Sequence, residues 1–242
     1  MSIVGSIYRA LLSLLFPPRC PVCGTLAENG RGDICIDCRT SIPTTGLIDE
    51  PDNAMEQVFW GYLPIEQAAA LFWFQKDSNW QALIHRFKYS GRWALAQLMG
   101  RWLGDELRRS DRFDGVDLVI PVPLHWWRRM RRGYNQSEHL AIGISRAMGI
   151  AYDFGALKRS HYTRSQTTKR RIERWKNVAD IFTVRHAERL RGRHILLVDD
   201  VFTTGSTLAS CAEAILKACD GDVRISIATL AASQQLLGKE RC

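Results

Sequence analysis

The run His194-Ile-Leu-Leu-Val-Asp-Asp-Val-Phe-Thr-Thr-Gly-Ser-Thr207 sets an apolar stretch, two adjacent carboxylates and a loop of hydroxyls and glycine in unbroken order. Ile195 to Val198 suit a buried parallel strand, so Asp199 and Asp200 fall at its carboxyl end, where open α/β sheets bind ligands. The loop that follows is built to hold an anion. Gly205 lets backbone approach closely, Thr203, Thr204, Ser206 and Thr207 offer hydroxyls, and a helix from Ser206 presents free N–H groups and a favourable dipole. Two carboxylates beside a bound phosphate repel it unless they hold sugar hydroxyls or a divalent cation, for which hard oxygen ligands are suited. The fragment therefore specifies a phosphosugar.

These residues resemble the phosphoribosyl pyrophosphate (PRPP) motif of type I phosphoribosyltransferases, two acids after an apolar strand followed by Thr-Thr-Gly-x-Ser/Thr. The resemblance implies that Asp199 and Asp200 bind ribose hydroxyls together with Mg²⁺, and that Thr203, Thr204, Gly205, Ser206 and Thr207 cradle the 5′-phosphate. A Walker B strand shares the apolar run ending in acids. Its partner loop, Gly-x-x-x-x-Gly-Lys-Ser/Thr, is absent from the sequence, as is a Gly-x-Gly-x-x-Gly dinucleotide fingerprint. A buried strand followed by a capped helix is the plain structural alternative, and it leaves adjacent acids at a strand end without a ligand to justify them.

Four of the seven cysteines form Cys20-Pro-Val-Cys23 and Cys35-Ile-Asp-Cys38. Each turn aims two thiolates at one point, and two turns complete a tetrahedron at Zn–S distances of about 2.3 Å. Four thiolates leave no open position, so the zinc is expected to be structural. The segment is too short to fold on burial alone, and metal binding would supply its folding energy. Cys211, Cys219 and Cys242 are not read as ligands.

A length of 242 residues admits one sizeable core plus a small module, and 46% apolar composition is ordinary for a globular protein. The formal charge of +8 is uneven: residues 125 to 176 hold 13 Lys and Arg against 3 Asp and Glu. Such a stretch points to a polyanion, pyrophosphate or nucleic acid, and Trp126, Trp127 and Trp175 within it offer stacking surfaces, although packing is the default for each tryptophan. Residues 1–18 read as an amphipathic helix, with Ile3, Ile7, Leu11 and Leu15 on one face, too short for a membrane span and without a cleavage signal. The chain is therefore expected to be cytoplasmic, with peripheral contact at an inner membrane left open.

Residues 19–42 then form the zinc module, 43–58 a linker and 59–242 the main domain. In that domain Ala68 to Phe74, Asp117 to Val122 and Val223 to Leu230 read as strands. Asn79 to Leu107 reads as helix broken near Ser90-Gly91, with Leu83, Phe87, Leu95, Leu98, Trp102 and Leu103 inward, and Asn135 to Met148 as a helix closed by Gly149. Alternating strands and helices predict an α/β fold with a parallel sheet.

The paired Cys-x-x-Cys turns, Phe-Lys-Tyr-Ser-Gly-Arg at 87 to 92, Pro-Val-Pro-Leu-His at 121 to 125, Arg-Arg-Gly-Tyr-Asn-Gln at 131 to 136 and the PRPP motif together resemble the ComF family. Thr163, Gln166, Arg171, Glu173, Arg174, Asn177 and Phe182 extend the likeness. The resemblance implies a zinc knuckle followed by a type I phosphoribosyltransferase-like domain, with a role in uptake or utilisation of external DNA. It places Arg128, Arg131 and Arg132 near pyrophosphate or DNA. It also puts residues 158 to 177 in the loop that closes over the sugar, where Lys158, Arg159, Arg171 and Arg174 face the leaving group. Arg174 is taken with Asp199 and Asp200 as the catalytic set. Two readings of different class follow: phosphoribosyl transfer with release of pyrophosphate, or PRPP or nucleotide sensing by a single-stranded-DNA-binding partner of an uptake machinery.

Overall fold

The computed structural model describes residues 19–26, 34–89, 92–159 and 181–234. The expected first helix, the break at Ser90-Gly91, the stretch from Thr163 to Asn177 with Arg171 and Arg174, and Cys242 lie outside the described residues.

Short apolar runs and amphipathic segments alternate along the main domain, and each takes the element its period demands. Strand β1 is Ala68–Phe74. Helices α1 (Ile36–Thr40) and α2 (Ala54–Gln57) precede it, and α3 (Asn79–Tyr89) and α4 (Trp93–Arg109) follow. Strand β2 (Leu118–Pro121) leads through α5 (Trp126–Arg132) and α6 (Gln136–Met148) to β3 (Ala151–Tyr152). Strands β4 (Leu157–Arg159) and β5 (Phe182–Val184) pair as an antiparallel ribbon. The chain continues with β6 (His194–Phe202), α7 (Ser206–Ala218) and β7 (Arg224–Ser233).

Five strands make one parallel sheet in the order β1-β7-β6-β2-β3. Alternate residues feed opposite faces. Leu196 and Val198 join Leu83, Met99, Leu103, Leu140 and Ile144 on the face covered by α3, α4 and α6, whereas Ile195 and Leu197 join Met55, Phe59, Leu208 and Cys211 under α2 and α7. Of the residues expected inward, Leu83, Leu95 and Leu103 are buried and Leu98 and Trp102 are partly so.

The strand read as Ile195 to Val198 runs on to Phe202. Its β7 neighbour keeps pairing, Asp199 with Thr229 and Phe202 with Ala232, while β2 stops at Pro121 opposite Val198. Pro121 and Pro123 lack the N–H a longer strand needs.

The stretch 43–58, read as a linker, connects the modules as a packed strap rather than an open tether. Thr45 N donates to Leu71 O at 3.2 Å and Trp73 N to Pro43 O at 2.8 Å, covering the β1 edge. Asn53, buried, caps α2 and donates from Nδ2 to Leu47 O at 3.0 Å and to Ala68 O at 2.9 Å. Local turn residues concealed this, because Leu47, Ile48, Met55 and Val58 become buried only once the sheet exists.

Helices α4 and α6 cross closely because glycines meet there. A Cβ on Gly143 would overlap Gln97 O and the Arg101 backbone nitrogen, and one on Gly100 would overlap Leu140 O. Neither backbone can yield cheaply. Gly143→Val is expected to cost about 2–3 kcal/mol, lowering the melting temperature by roughly 5–10 °C. A variant that melts with the parent protein would mean the helices do not touch at this point.

At the sheet's opposite end His194 is 2% exposed. Its Nε2 sits 2.8 Å from Ser226 Oγ, whose hydroxyl donates to Gln67 Oε1 at 2.6 Å, so Nε2 carries the proton. Burial first, and the Arg224 charge second, push its pKa down. The neutral ring is therefore the stabilising form. That contribution is complete above the unfolded-state pKa of about 6.5 and is lost as pH falls below it toward the lowered folded value. Thermal melts at pH 7 and pH 5 should show this loss, and His194→Gln should reduce the difference between them.

Candidate functional site

The sheet order creates a crevice before any side chain is considered. From β2 the chain winds outward to β3, and from β6 it winds the other way to β7, so the carboxyl ends of β2 and β6 flank a topological switch point. Beyond Val198, β6 has no strand neighbour on that side among the described residues. Asp199 and Asp200 occupy this gap.

Successive strand residues face opposite ways, and the two carboxylates divide accordingly. Asp199 lines a cleft with Thr203, Gly205, Ser206 and Thr207. Asp200 is 6% exposed and turned toward α6. The first turn of α6 reaches both. Gln136 Nε2 donates to Asp200 Oδ2 at 3.1 Å, and Ser137 Oγ donates to Asp199 Oδ1 at 2.9 Å. The backbone N–H of Asp200 also donates to Asp199 Oδ1, at 2.9 Å. Asn135 starts that turn: its Oδ1 accepts from Ser137 N at 3.2 Å and its Nδ2 donates to Val122 O at 3.1 Å. The motif residue Gln136 carried no assigned role in the sequence, and Ser137 was not singled out. The signal that could have found them was the Asn cap, which sets the start of the second helix after β2 at the sheet's carboxyl edge.

The loop after β6 has the form of an anion cup. Gly205 adopts φ +76, and a Cβ there would press on Phe202 Cζ at 2.8 Å and Val58 Cγ1 at 3.3 Å. Gly205, the N-cap of α7, has no side chain to cap it; Thr204 Oγ1 accepts from Ser206 N at 3.5 Å, and the N–H groups that follow face the loop. Thr204 Oγ1 donates to Ser206 Oγ at 3.1 Å, Thr203 and Thr204 are exposed, and Thr207 is half-buried. Dipole, N–H groups and hydroxyls favour an anion at one end of the cleft, while the Asp199 carboxylate favours hydroxyl donors or a cation at the other. Beneath Asp199, Cys211 is fully buried; burial first and the Asp199 charge second push its thiol pKa well up, which makes it a packing residue.

The basic stretch folds in part as α5, directly after β2 and on the same edge. Arg131 is exposed and Arg132 half-buried, Arg128 lies on the same helix, and Arg129 pairs with Glu138 at 3.1 Å. Trp126 and Trp127, expected as packing residues, are 61% and 55% exposed, and Met130 is 71% exposed. A seven-residue helix with its polar flank on α6 leaves these side chains no core to enter among the described residues. Lys158 is exposed and Arg159 half-buried on β4, where the Arg159 guanidinium lies 5.4 Å from the Phe182 ring.

The four sulfur atoms of Cys20, Cys23, Cys35 and Cys38 lie within 4.8 Å of one another, with Cys23 and Cys35 3.6 Å apart. Tetrahedral Zn–S bonds of about 2.3 Å place sulfurs roughly 3.8 Å apart, so the donor set fits zinc. The Thr25 hydroxyl, 3.0 Å from Cys23 Sγ, draws that thiol's pKa down to about 6, whereas burial and the neighbouring thiols push Cys38 up. A divalent cation is what allows all four to ionise together. The cluster is anchored to the main domain: Cys20, Val22, Ile34 and Cys38 share the core with Trp80 and Leu83, and Arg86 donates to Pro21 O at 2.6 Å.

Residues 11–48 match the double zinc ribbon domain family and residues 133–241 the phosphoribosyl transferase domain family. Parallel sheet, loop and cysteine cluster thus define a phosphoribosyltransferase-type α/β domain behind a zinc ribbon. The segment from 11 to 48 contains four cysteines, enough for one tetrahedral site. The chain is similar to proteins named for competence and DNA utilisation. Similar proteins include DNA utilization protein YhgH of Escherichia coli O157:H7, 36% identical over 138 residues, or 56% of this chain and 60% of that protein. Competence protein F of Haemophilus influenzae is 33% identical over 139 residues, 56% of this chain and 61% of that protein. The chain thus spans about 60% of the length of these curated relatives. A solved adenine phosphoribosyltransferase is 13% identical with a TM-score of 0.41, covering 78% of this chain and 95% of its own. No helix among the described residues is long and apolar enough to cross a membrane.

Proposed function

We propose that the main domain binds PRPP with Mg²⁺ and that this site serves the uptake or utilisation of external DNA. One observation carries the reading: Asp199 lines a single cleft with Thr203, Gly205, Ser206 and Thr207 at the carboxyl end of β6. In it the loop and the α7 N-terminus take the 5′-phosphate, and Asp199 takes a ribose hydroxyl. Asp200 takes the second hydroxyl from the far side of the strand. Mg²⁺ would neutralise the pyrophosphate, assisted by Arg131, Arg132 and Arg128 on α5 and by Lys158, Arg159, Arg171 and Arg174 of the following segment. With these charges stabilising the leaving group, a nucleophile at C1 of the ribose would complete phosphoribosyl transfer. The supporting names, competence protein F and DNA utilization protein, belong to the relatives.

The test is a thermal melt with Mg²⁺ and PRPP, run beside pyrophosphate release with a panel of bases and amines. Binding without release for any acceptor favours a sensing role. An unchanged melting curve in the parent protein removes the site.

A second reading is favoured by the exposed Trp126, Trp127 and Met130 among arginines. Exposed indoles give stacking faces and the guanidinium groups phosphate contacts, the pairing that single-stranded DNA calls for. Binding of an oligonucleotide should weaken steeply between low and moderate salt, and the Arg128→Ala, Arg131→Ala, Arg132→Ala triple variant should show a shallower salt slope by up to about three units. Insensitivity to both would exclude α5 as the contact.

A further inference from the structure

The motif Arg-Arg-Gly-Tyr-Asn-Gln at 131 to 136 ends where α6 begins, and the first turn of that helix touches both carboxylates. We propose that Gln136 and Ser137 are positioning residues that hold Asp200 and Asp199 in ligand-ready orientation and couple them to the position of α5. This deepens the PRPP reading and rests on it.

The geometry makes the turn a relay. Gln136 is 5% exposed and Ser137 1% exposed, so neither serves the surface. Each donates to one carboxylate, Gln136 Nε2 at 3.1 Å and Ser137 Oγ at 2.9 Å. An amide donating to Asp200 must present its oxygen elsewhere, and Gln136 Oε1 is buried with no hydrogen-bond partner among the described residues. A buried acceptor of that kind is costly unless a donor arrives. Beside a carboxylate that accepts hydroxyls, it adds a second acceptor for a ligand O–H or for metal-bound water. The turn is fixed to the loop before it. Asn135 ties it to Val122 O at 3.1 Å, and Arg129 of α5 pairs with Glu138 of α6 at 3.1 Å. Gly133, with φ +80, closes α5 and lets the chain turn directly into α6. A shift of α5 on meeting an anion would therefore reach the carboxylates through one turn of helix.

The test uses the full chain and compares Gln136→Ala, Gln136→Glu and Ser137→Ala with the parent, reading the affinity for PRPP with Mg²⁺ and the melting shift caused by inorganic phosphate. Gln136→Ala should weaken PRPP by roughly tenfold or more, the scale of a lost hydrogen bond to a charged group, and Ser137→Ala by a smaller factor because the Asp200 N–H still serves Asp199. The phosphate shift should persist in both, since the cup lies in another loop. Gln136→Glu supplies the reading that simple damage would not give. At pH 8 two carboxylates face each other and PRPP affinity should fall further than in Gln136→Ala. Near pH 5.5 a proton shared between them restores a donor, so the gap to the parent should narrow. Parent-like PRPP affinity in Gln136→Ala, or a Gln136→Glu deficit unchanged between the two pH values, overturns the assignment. Equal loss of phosphate and PRPP shows a general structural defect and overturns it too. If the parent itself fails to bind PRPP, the site reading falls first and this inference with it.

Discussion

Asp199→Ala combined with Asp200→Ala is expected to abolish the rise in melting temperature produced by Mg²⁺ and PRPP. Ligand at about one hundred times its dissociation constant stabilises a native protein by roughly 2.7 kcal/mol, which for a domain of this size is about 5–10 °C. The double substitution removes both carboxylates at the end of β6 while leaving the cup at Thr203–Thr207 intact. Ligand response, not folding, is therefore the quantity that should collapse. The two positions are also expected to differ. Asp199 lines the cleft itself and its loss alone should remove most of the shift, whereas Asp200, 6% exposed and bound to Gln136, leaves a buried amide unpaired when it is removed. Asp200→Ala should accordingly lower the unliganded melting temperature as well. A double variant that still responds to PRPP like the parent would refute the assignment.

Removal of zinc is expected to have the other large effect. Apparent binding energies of structural zinc sites run to about 10–16 kcal/mol, more than a segment of this size recovers from burial. Metal analysis should find about one zinc per chain. A strong chelator, or Cys20→Ser with Cys38→Ser, should abolish amide-exchange protection across residues 19–42. Cys20, Val22, Ile34 and Cys38 are part of the same core as Trp80, Leu83 and Leu71, so the loss should spread to α3 and lower the melting temperature of the main domain. A zinc-free preparation with unchanged protection and melting would show that packing alone holds the knuckle.

How much of this was legible beforehand follows from where each signal resides. Strand β1 coincides with the run read from Ala68 to Phe74, and α6 lies between its Asn135 cap and Gly149, because burial on both faces and helix capping are properties of contiguous residues. The extension of β6 through both carboxylates was not legible, since it depends on β7 continuing to pair where β2 has ended. Helix α5 was hidden for a related reason. Trp126 to Arg132 has no apolar stripe, and its helix is held by the His125 side chain accepting from Trp127 N at 3.3 Å and by the Gly133 turn. The exposure of Trp126 and Trp127 reverses the default expectation for tryptophan. It was decided by the absence of any element above α5 among the described residues, not by the residues themselves.

The order of residues by itself determined the zinc donors, the alternation that makes a parallel sheet, and the acids followed by an anion loop, because each is written in neighbours within about twenty positions. Tertiary structure alone decided that β2 and β6 wind apart at the crevice, that one carboxylate enters the cleft while the other is buried, and that Gln136 and Ser137 hold them. These relations join residues more than sixty positions apart, and only the pairing of strands and the close crossing of α4 and α6 bring such residues within bonding distance.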